Sequence, residues 1–354
     1  MKVLIIRFSS IGDIVLTTPV IRCIKEQTGA TVHFLTKAGF AGLLSANPHV
    51  DRLWTIKKDI SEVSTGLIAE GYDHVIDLHA NLRTLELRAR LSSNNLLHLH
   101  LGCARHKRQL RWPRPQWHAF NKLNLEKYLL VNLGVDRMPD VHIVDRYLAT
   151  AAPLGIKNDD KGLDYFVPEG ETVNLATEQV PTQFIVLVIG AAHATKRLTE
   201  EQMADFCAAL PHPIVLLGGP AEAETGNRIA GNLPHVINAC GRFKLGGSAD
   251  LIRQATIVVT HDTGMMHVAA AYHKPILSVW GNTVPAFGMY PYLPGQEAQE
   301  KERRQEVVGL SCRPCSKIGY QSCPKGHFRC IKDQTAESLA SAAGQLFSDS
   351  IGRP

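Results

Sequence analysis

One rhythm runs through both halves of this chain: a short run rich in β-branched residues, a loop of small residues, then a helical pattern. In the second half the runs read FIVLVI at 184–189, IVLL at 214–217, TIVVT at 256–260 and PILSV at 275–279. The first half opens with a run at 3–8, the loop Ser9-Ser10-Ile11-Gly12-Asp13 and an amphipathic segment through Lys25, and further strands are expected at 31–35, 52–56 and 74–77. Strands alternating with helices imply parallel sheets covered on both faces. Thr199, with Gln202 three residues on, has the pattern of a capping box at a helix start. Ser248 is expected to precede a short helix ending near Gln254, and a final helix is expected at about 335–347.

At 354 residues the chain exceeds one ordinary core, so two domains are expected. The polar stretch at 155–170, punctuated by Gly and Pro, marks the boundary. The expected domains are 1–165 and 166–354, with the last helix able to pack back on the first. Both are α/β and doubly wound, facing across a cleft. Ligands bind beyond the carboxyl ends of strands in such sheets, so the useful residues belong in the loops that follow strands.

Hydrophobic residues make up 45% and charged residues 20%, the balance of a folded globular protein. No apolar run approaches the ~20 residues that span a bilayer. The apolar start from Val3 to Ile6 is broken by Arg7, short of the ~7 residues of a signal-peptide core. A cytoplasmic location is therefore expected, with the eight cysteines as thiols or metal ligands rather than structural disulfides.

Asp13 follows Gly12 at a helix start. An ionised carboxylate there can take a proton from an attacking hydroxyl, or it can simply cap its own helix. The loop from His261 reads HDTGMMHVAAA. Asp262, Thr263 and Gly264 form a helix start whose backbone amides can meet a diphosphate, with Met265 beside them and His267 one turn further in. The alternative is a plain turn with a capping Asp. Lys196, just before Thr199, suits a phosphate oxygen or is a solvated lysine. Glu222, after the strand at 214–217, suits ribose hydroxyls. No Asp-x-Asp pair occurs, which argues against a diphosphate held through a divalent cation.

The stretch RHKRQLRWPRPQWH at 105–118 sets Arg105, Lys107, Arg108, Arg111 and Arg114 among Trp112 and Trp117. It reads as an exposed basic patch for phosphorylated headgroups, acidic sugars or nucleic acid, or as a solvated loop. Arg83 is a further anion-gripping candidate. Cys312, Cys315, Cys323 and Cys330, with His327 among them, lack the paired C-x-x-C form of a zinc ribbon. They are read as reduced thiols packing a loop, with a structural metal as the alternative.

With these residues in view, the chain resembles glycosyltransferase family 9, the heptosyltransferase-like enzymes of lipopolysaccharide core assembly. The resemblance is carried by RFSSIGDIVLTTPVIR at 7–22, KRLTEEQ at 196–202, LGGPAEAE at 217–224 and HDTGMMHVAAAYHKPILSVWGNTVP at 261–285. It implies the GT-B fold and inverting transfer that needs no catalytic metal and no cofactor, the nucleotide sugar being a substrate. It implies Asp13 as the family's proposed catalytic base, Lys196 on donor phosphate and Glu222 on ribose. Asp262, Thr263, Gly264, Met265 and His267 match the donor loop. Gly12, Arg83, Arg105, Arg108 and Arg111 are taken as the acceptor side.

The family's best-known donor is ADP-heptose, and its best-known acceptor is a Kdo-containing lipid A precursor. The expected partners are thus a nucleotide-diphosphate sugar, an anionic lipid-linked sugar and the cytoplasmic face of the inner membrane, with no nucleic acid. Where well-known members place hydroxyl residues before the lysine, this chain has Ala191, Ala192 and Ala194 around His193, leaving Thr195. The alternatives are a family 9 transferase with another donor or acceptor, a related nucleotide-sugar epimerase, or a non-catalytic binder of anions or nucleic acid.

Overall fold

The computed structural model describes residues 1–93 and 114–352. The chain divides into two compact units, Met1–Lys122 with Val144–Asp159, and Leu123–Ile143 with Asp160–Pro354.

The chain begins with β1 (Lys2–Ile6), α1 (Ile11–Val15), α2 (Thr18–Thr28), β2 (Thr31–Lys37), β3 (Arg52–Ile56), α3 (Ser61–Glu70), β4 (His74–Asp77), α4 (Leu82–Ser93) and β5 (Gln116–Ala119). It continues through α5 (Asn124–Leu133) and α6 (Ile143–Ala151). The sheet of the first unit has the order β3-β2-β1-β4-β5, with every pairing parallel. Its strand order reverses between β1 and β4, so the loops after those two strands flank the switch point where open α/β sheets bind ligands. Pro19 opens α2 and Gly29, in the left-handed region at φ 62°, closes it. The helix buries Val20, Ile21 and Ile24. The core gathers Leu4, Ile6, Leu35, Ile56, Leu67, Val75 and Leu87.

The second unit runs β6 (Ile185–Val188), α7 (Glu200–Ala209), β7 (Ile214–Leu217), α8 (Ala223–Ala230), β8 (Val236–Asn238), α9 (Leu245–Gln254), β9 (Ile257–His261), α10 (Gly264–Ala271) and β10 (Ile276–Trp280). After these come α11 (Glu297–Lys301), β11 (Glu302–Glu306), α12 (Arg329–Lys332) and α13 (Ala336–Ile351). The order β11-β10-β9-β6-β7-β8 is again wholly parallel, with its switch point between β6 and β9. Every residue of β6, β7, β9 and β10 is buried, which is why these strands are continuous apolar runs. The expected capping box at Thr199 and Gln202 is formed.

Three features differ from the expectations. The stretch Leu123–Ile143, inside the segment read as the first domain, groups with the second unit: Ile143 N donates to Gly288 O (2.8 Å), and His142 Nε2 lies 2.9 Å from Tyr290 O. Ser248 lies within α9 rather than before it, because the helix starts three residues earlier. Glu171 accepts from Gly246 N (3.0 Å) at that start, and a side chain at Gly246 would collide with the same carboxylate. The final helix buries Leu339, Ala343, Leu346 and Phe347 in the core of the second unit, beside Phe206 of α7. Its apolar face is therefore occupied there, where the sequence had allowed a return to the first domain.

Candidate active site

Two sets of side chains gather at the carboxyl ends of strands, one in each unit. In the first unit, Ser10 is the N-cap of α1 and Asp13 its third residue. Asp13 Oδ2 accepts from Ser10 N (3.0 Å) and from Ser10 Oγ (2.8 Å), so the carboxylate does close its own helix start. It does more, because Asp13 Oδ1 lies 2.5 Å from Arg7 Nη2, and 19% of its side chain stays accessible. Burial alone would raise the pKa of Asp13. The Arg7 guanidinium and the Ser10 bonds outweigh that and hold it below the ordinary carboxylate range.

The loop after β4 supplies the other wall. Asp77 Oδ1 accepts from His79 N (3.0 Å) and Ala80 N (2.7 Å), which turns the chain sharply out of the strand. The His79 ring meets Phe8 edge-on at 5.1 Å, and burial followed by the charge of Arg7 pushes its pKa down to about 4. His79 is therefore neutral at physiological pH. Arg83 lies over the other partner of this contact, its guanidinium 5.5 Å from the Phe8 ring. Gly12 is buried in α1. Arg105, Arg108 and Arg111 fall outside the described residues. At the end of the basic stretch Arg114 is exposed, whereas Trp117 belongs to β5 and packs against the core of the first unit, under Arg88.

In the second unit the loops after β6, β7, β9 and β10 carry the candidate donor residues. Lys196 Nζ and Asp262 Oδ2 are 2.6 Å apart, joining the loops on either side of the switch point. Thr283 Oγ1 donates to the same Asp262 oxygen (2.8 Å) from the loop after β10. Thr263 is the N-cap of α10, and Gly264 opens it with Met265 partly exposed. His267 faces the interior, 2% exposed. Glu222 Oε2 accepts from Gly219 N (2.9 Å), and a Cβ on Gly190 would lie 3.4 Å from the Glu222 carboxyl carbon. The carboxylate thus sits between the loops after β6 and β7. The absence of side chains at Gly190 and Gly218 makes room for it.

Several residues of this set have no strong sequence signal. Thr195 Oγ1 accepts from Tyr320 N (2.8 Å) and lies 3.0 Å from Asn282 Oδ1, and Thr195 O accepts from Asn282 N (3.1 Å). Gln321 Nε2 donates to Ala192 O (3.0 Å). Arg313 ties Gly281 O (2.6 Å) and Thr283 O (2.8 Å) to Glu306. The cysteine-rich stretch is therefore the brace behind the Lys196 loop. His261 Nε2 accepts from Leu198 N (3.0 Å), and burial pushes its pKa down to about 4, so it remains a neutral acceptor.

Two cysteines of the brace, Cys315 and Cys330, are held as thiols at neutral pH. Burial raises Cys315 and takes Cys330 up to about 11. Cys312 Sγ lies 3.6 Å from His327 Nε2, and among the described residues no three His, Cys, Asp or Glu side chains converge to hold a metal ion.

This packing makes Gly281 sensitive. A Cβ there would lie 2.3 Å from Thr195 O and 2.8 Å from Ile331 Cδ1. Gly281→Ala is expected to destabilise the protein by about 1–3 kcal/mol and to displace the Lys196 loop. Thermal unfolding together with nucleotide titration checks both effects.

A family model described as "Glycosyltransferase family 9 (heptosyltransferase)" matches residues 107–317. The chain belongs to this family. Among the curated relatives of this family 9 glycosyltransferase is lipopolysaccharide heptosyltransferase 1 of Escherichia coli strain K12, 24% identical over 305 residues, covering 80% of this chain and 89% of the relative. The protein of the same name from Pseudomonas aeruginosa is 26% identical over 357 residues, covering 90% and 86%. Among solved structures, the family 9 glycosyl transferase from Veillonella parvula superposes with a TM-score of 0.73 at 21% identity, covering 98% and 97% of the two chains. Escherichia coli ADP-heptose lps heptosyltransferase II gives 0.70 at 20% identity over 99% and 100%. These likenesses show the fold: the two parallel-sheet α/β units are those of the GT-B class.

Proposed function

We propose that this family 9 glycosyltransferase moves a heptose from ADP-heptose onto a lipopolysaccharide core or lipid A-linked acceptor, with inversion at the anomeric carbon. The observation that carries the reading is the lipopolysaccharide heptosyltransferase name shared by relatives that align along 80% or more of this chain. The structure of E. coli heptosyltransferase WaaC with ADP, which superposes over 98% of this chain, supports an adenine nucleotide as the donor's carrier.

In this reading the acceptor hydroxyl attacks the anomeric carbon and gives its proton to Asp13. The bond from that carbon to the diphosphate oxygen breaks, and the electron pair leaves with ADP. Lys196 and the free amides at the start of α10 meet the charge growing on the leaving diphosphate. Glu222 takes the ribose hydroxyls, Asp262 and Thr263 face the diphosphate and sugar with Met265 and His267 behind them, and Gly12 with Arg83 and the basic stretch serve the acceptor. A single displacement forms no glycosyl-enzyme, so one carboxylate suffices. The nucleotide sugar is a substrate, and the reading calls for no cofactor or metal. Its acceptor being lipid-linked, the protein works at the cytoplasmic face of the inner membrane as a peripheral protein. No helix among the described residues is long and apolar enough to cross a membrane.

A second reading keeps the transfer but changes the donor. Ala191, Ala192 and Ala194 leave the loop before Lys196 with the single hydroxyl of Thr195, which is buried and bonded to the brace. A titration of thermal stability with ADP, GDP and UDP separates the two readings. ADP at 100 times its Kd is expected to add about 2.7 kcal/mol of stability. Stabilisation by GDP or UDP alone overturns ADP-heptose in favour of another nucleotide sugar.

A further inference from the structure

Arg7 enters the sequence as the charge that ends an apolar run, yet its side chain is only 11% accessible and is anchored at three points. Nε donates to Ser9 O (2.9 Å), Nη1 donates to Leu78 O (2.5 Å), and Nη2 pairs with Asp13. The first anchor lies in the loop after β1 and the second at the end of β4. The guanidinium therefore bridges the two strands of the switch point, with its third arm fixed on the carboxylate. The carbonyls leave it one carboxylate to neutralise, and a planar fork held this way loses little freedom on binding it.

The acceptor sites of Asp13 can be counted. A carboxylate offers about four lone-pair positions, two on each oxygen. Those of Oδ2 are taken by Ser10 N and Ser10 Oγ. One on Oδ1 is taken by Arg7, which leaves a single open position on that oxygen. We infer that Arg7 is the positioning residue of the transfer reaction, turning Asp13 so that Oδ1 alone receives the acceptor's proton and keeping the buried carboxylate ionised to do so. The inference rests on the reading of Asp13 as the base.

The other groups around the pair do not supply this charge. His79 is neutral, its pKa pushed to about 4 by burial first and Arg7 second. The Tyr147 phenol of α6, whose ring lies 5.8 Å from the Arg7 guanidinium, is pushed above its ordinary range by burial. Asp77 faces the amides of His79 and Ala80. Lys37 and Lys122 act on His79, and Arg146 acts on Tyr147, lying over Phe120. Among the described residues, Arg7 alone touches Asp13 with a full positive charge. Opposite charge favours the ionised form of a carboxyl and burial disfavours it, so without Arg7 the balance moves toward the protonated acid. A weakened base is compatible with the chemistry, because the hydroxyl proton becomes acidic only as its oxygen bonds to the anomeric carbon.

The test is the pH dependence of kcat/KM for ADP-heptose with a lipid A-linked acceptor, in the wild type and in Arg7→Met, Arg7→Gln, Arg7→Lys and Asp13→Asn. Arg7→Gln retains an amide for the carbonyl anchors, so it stands in if Arg7→Met does not fold. Both neutral variants are expected to move the acidic limb to higher pH. They should lose about 10-fold or more near the wild-type limb and regain about 10-fold for each pH unit added along the new one. Arg7→Lys, which keeps the charge, is expected to hold the limb near its wild-type place at a lower plateau. A folded neutral variant whose limb coincides with that of the wild type overturns the inference, whatever its rate. Substantial turnover in Asp13→Asn would instead remove the base reading itself, so the two failures are told apart.

Discussion

Asp13→Asn is expected to lower kcat by about 10²- to 10⁴-fold, the usual contribution of a positioned general base, while leaving ADP affinity within about 2-fold of wild type. The amide is nearly isosteric, and its oxygen can still accept from Ser10 N, so α1 keeps much of its cap. In the proposed reaction, what is lost is the acceptor for the hydroxyl proton. Single-turnover kinetics with saturating ADP-heptose, beside calorimetry with ADP, separate a chemical loss from a binding loss. A variant with near-wild-type turnover would exclude Asp13 from proton transfer, and one with sharply weaker ADP binding would place the residue on the donor.

Lys196→Ala is expected to act the other way, weakening ADP binding by about 10- to 100-fold, as follows from losing a hydrogen bond of about 1.5–3 kcal/mol to a charged group. The substitution also strands Asp262, whose carboxylate would keep, among the described residues, only the Thr283 hydroxyl in a setting where just 12% of its side chain is accessible. Lys196→Ala should therefore lower thermal stability as well, and adding Asp262→Asn should return part of that stability but none of the affinity. Such a pattern in a double-mutant cycle identifies a lysine that serves both the ion pair and the phosphate. Unchanged ADP affinity in Lys196→Ala would show the ion pair to be its whole role.

How much of this was legible in the sequence follows from where each residue sits. Strands β1, β2, β4, β6, β7, β9 and β10 are largely buried, so they leave apolar runs that can be read directly. The strands not foreseen are β5, β8 and β11, all at or near sheet edges. There β11 reads ERRQE, because an edge strand carrying charge resists pairing with another chain. The placement of Asp13, Lys196, Glu222 and Asp262 was legible because each follows a readable strand within a short loop. Thr195, Asn282 and Arg313 were not, because their roles come from partners distant in the chain, and Arg7 was not, because its guanidinium is fixed only once the fold brings Leu78 O beside it. Thr195 and Asn282 are 87 residues apart, and Thr195 and Tyr320 are 125 apart. Cysteines drew attention to 312–330, whereas the residues that matter there for the loop are Arg313, Gly319, Tyr320 and Gln321.

The anomeric configuration of the product tests the central claim most directly. With ADP-heptose of defined configuration and a lipid A-linked acceptor, NMR of the newly formed glycosidic linkage reports whether the anomeric carbon has inverted. One displacement assisted by one carboxylate predicts complete inversion. A product that retains the donor's configuration would require a covalent or otherwise two-step path, and would contradict a mechanism in which Asp13 acts only as a base.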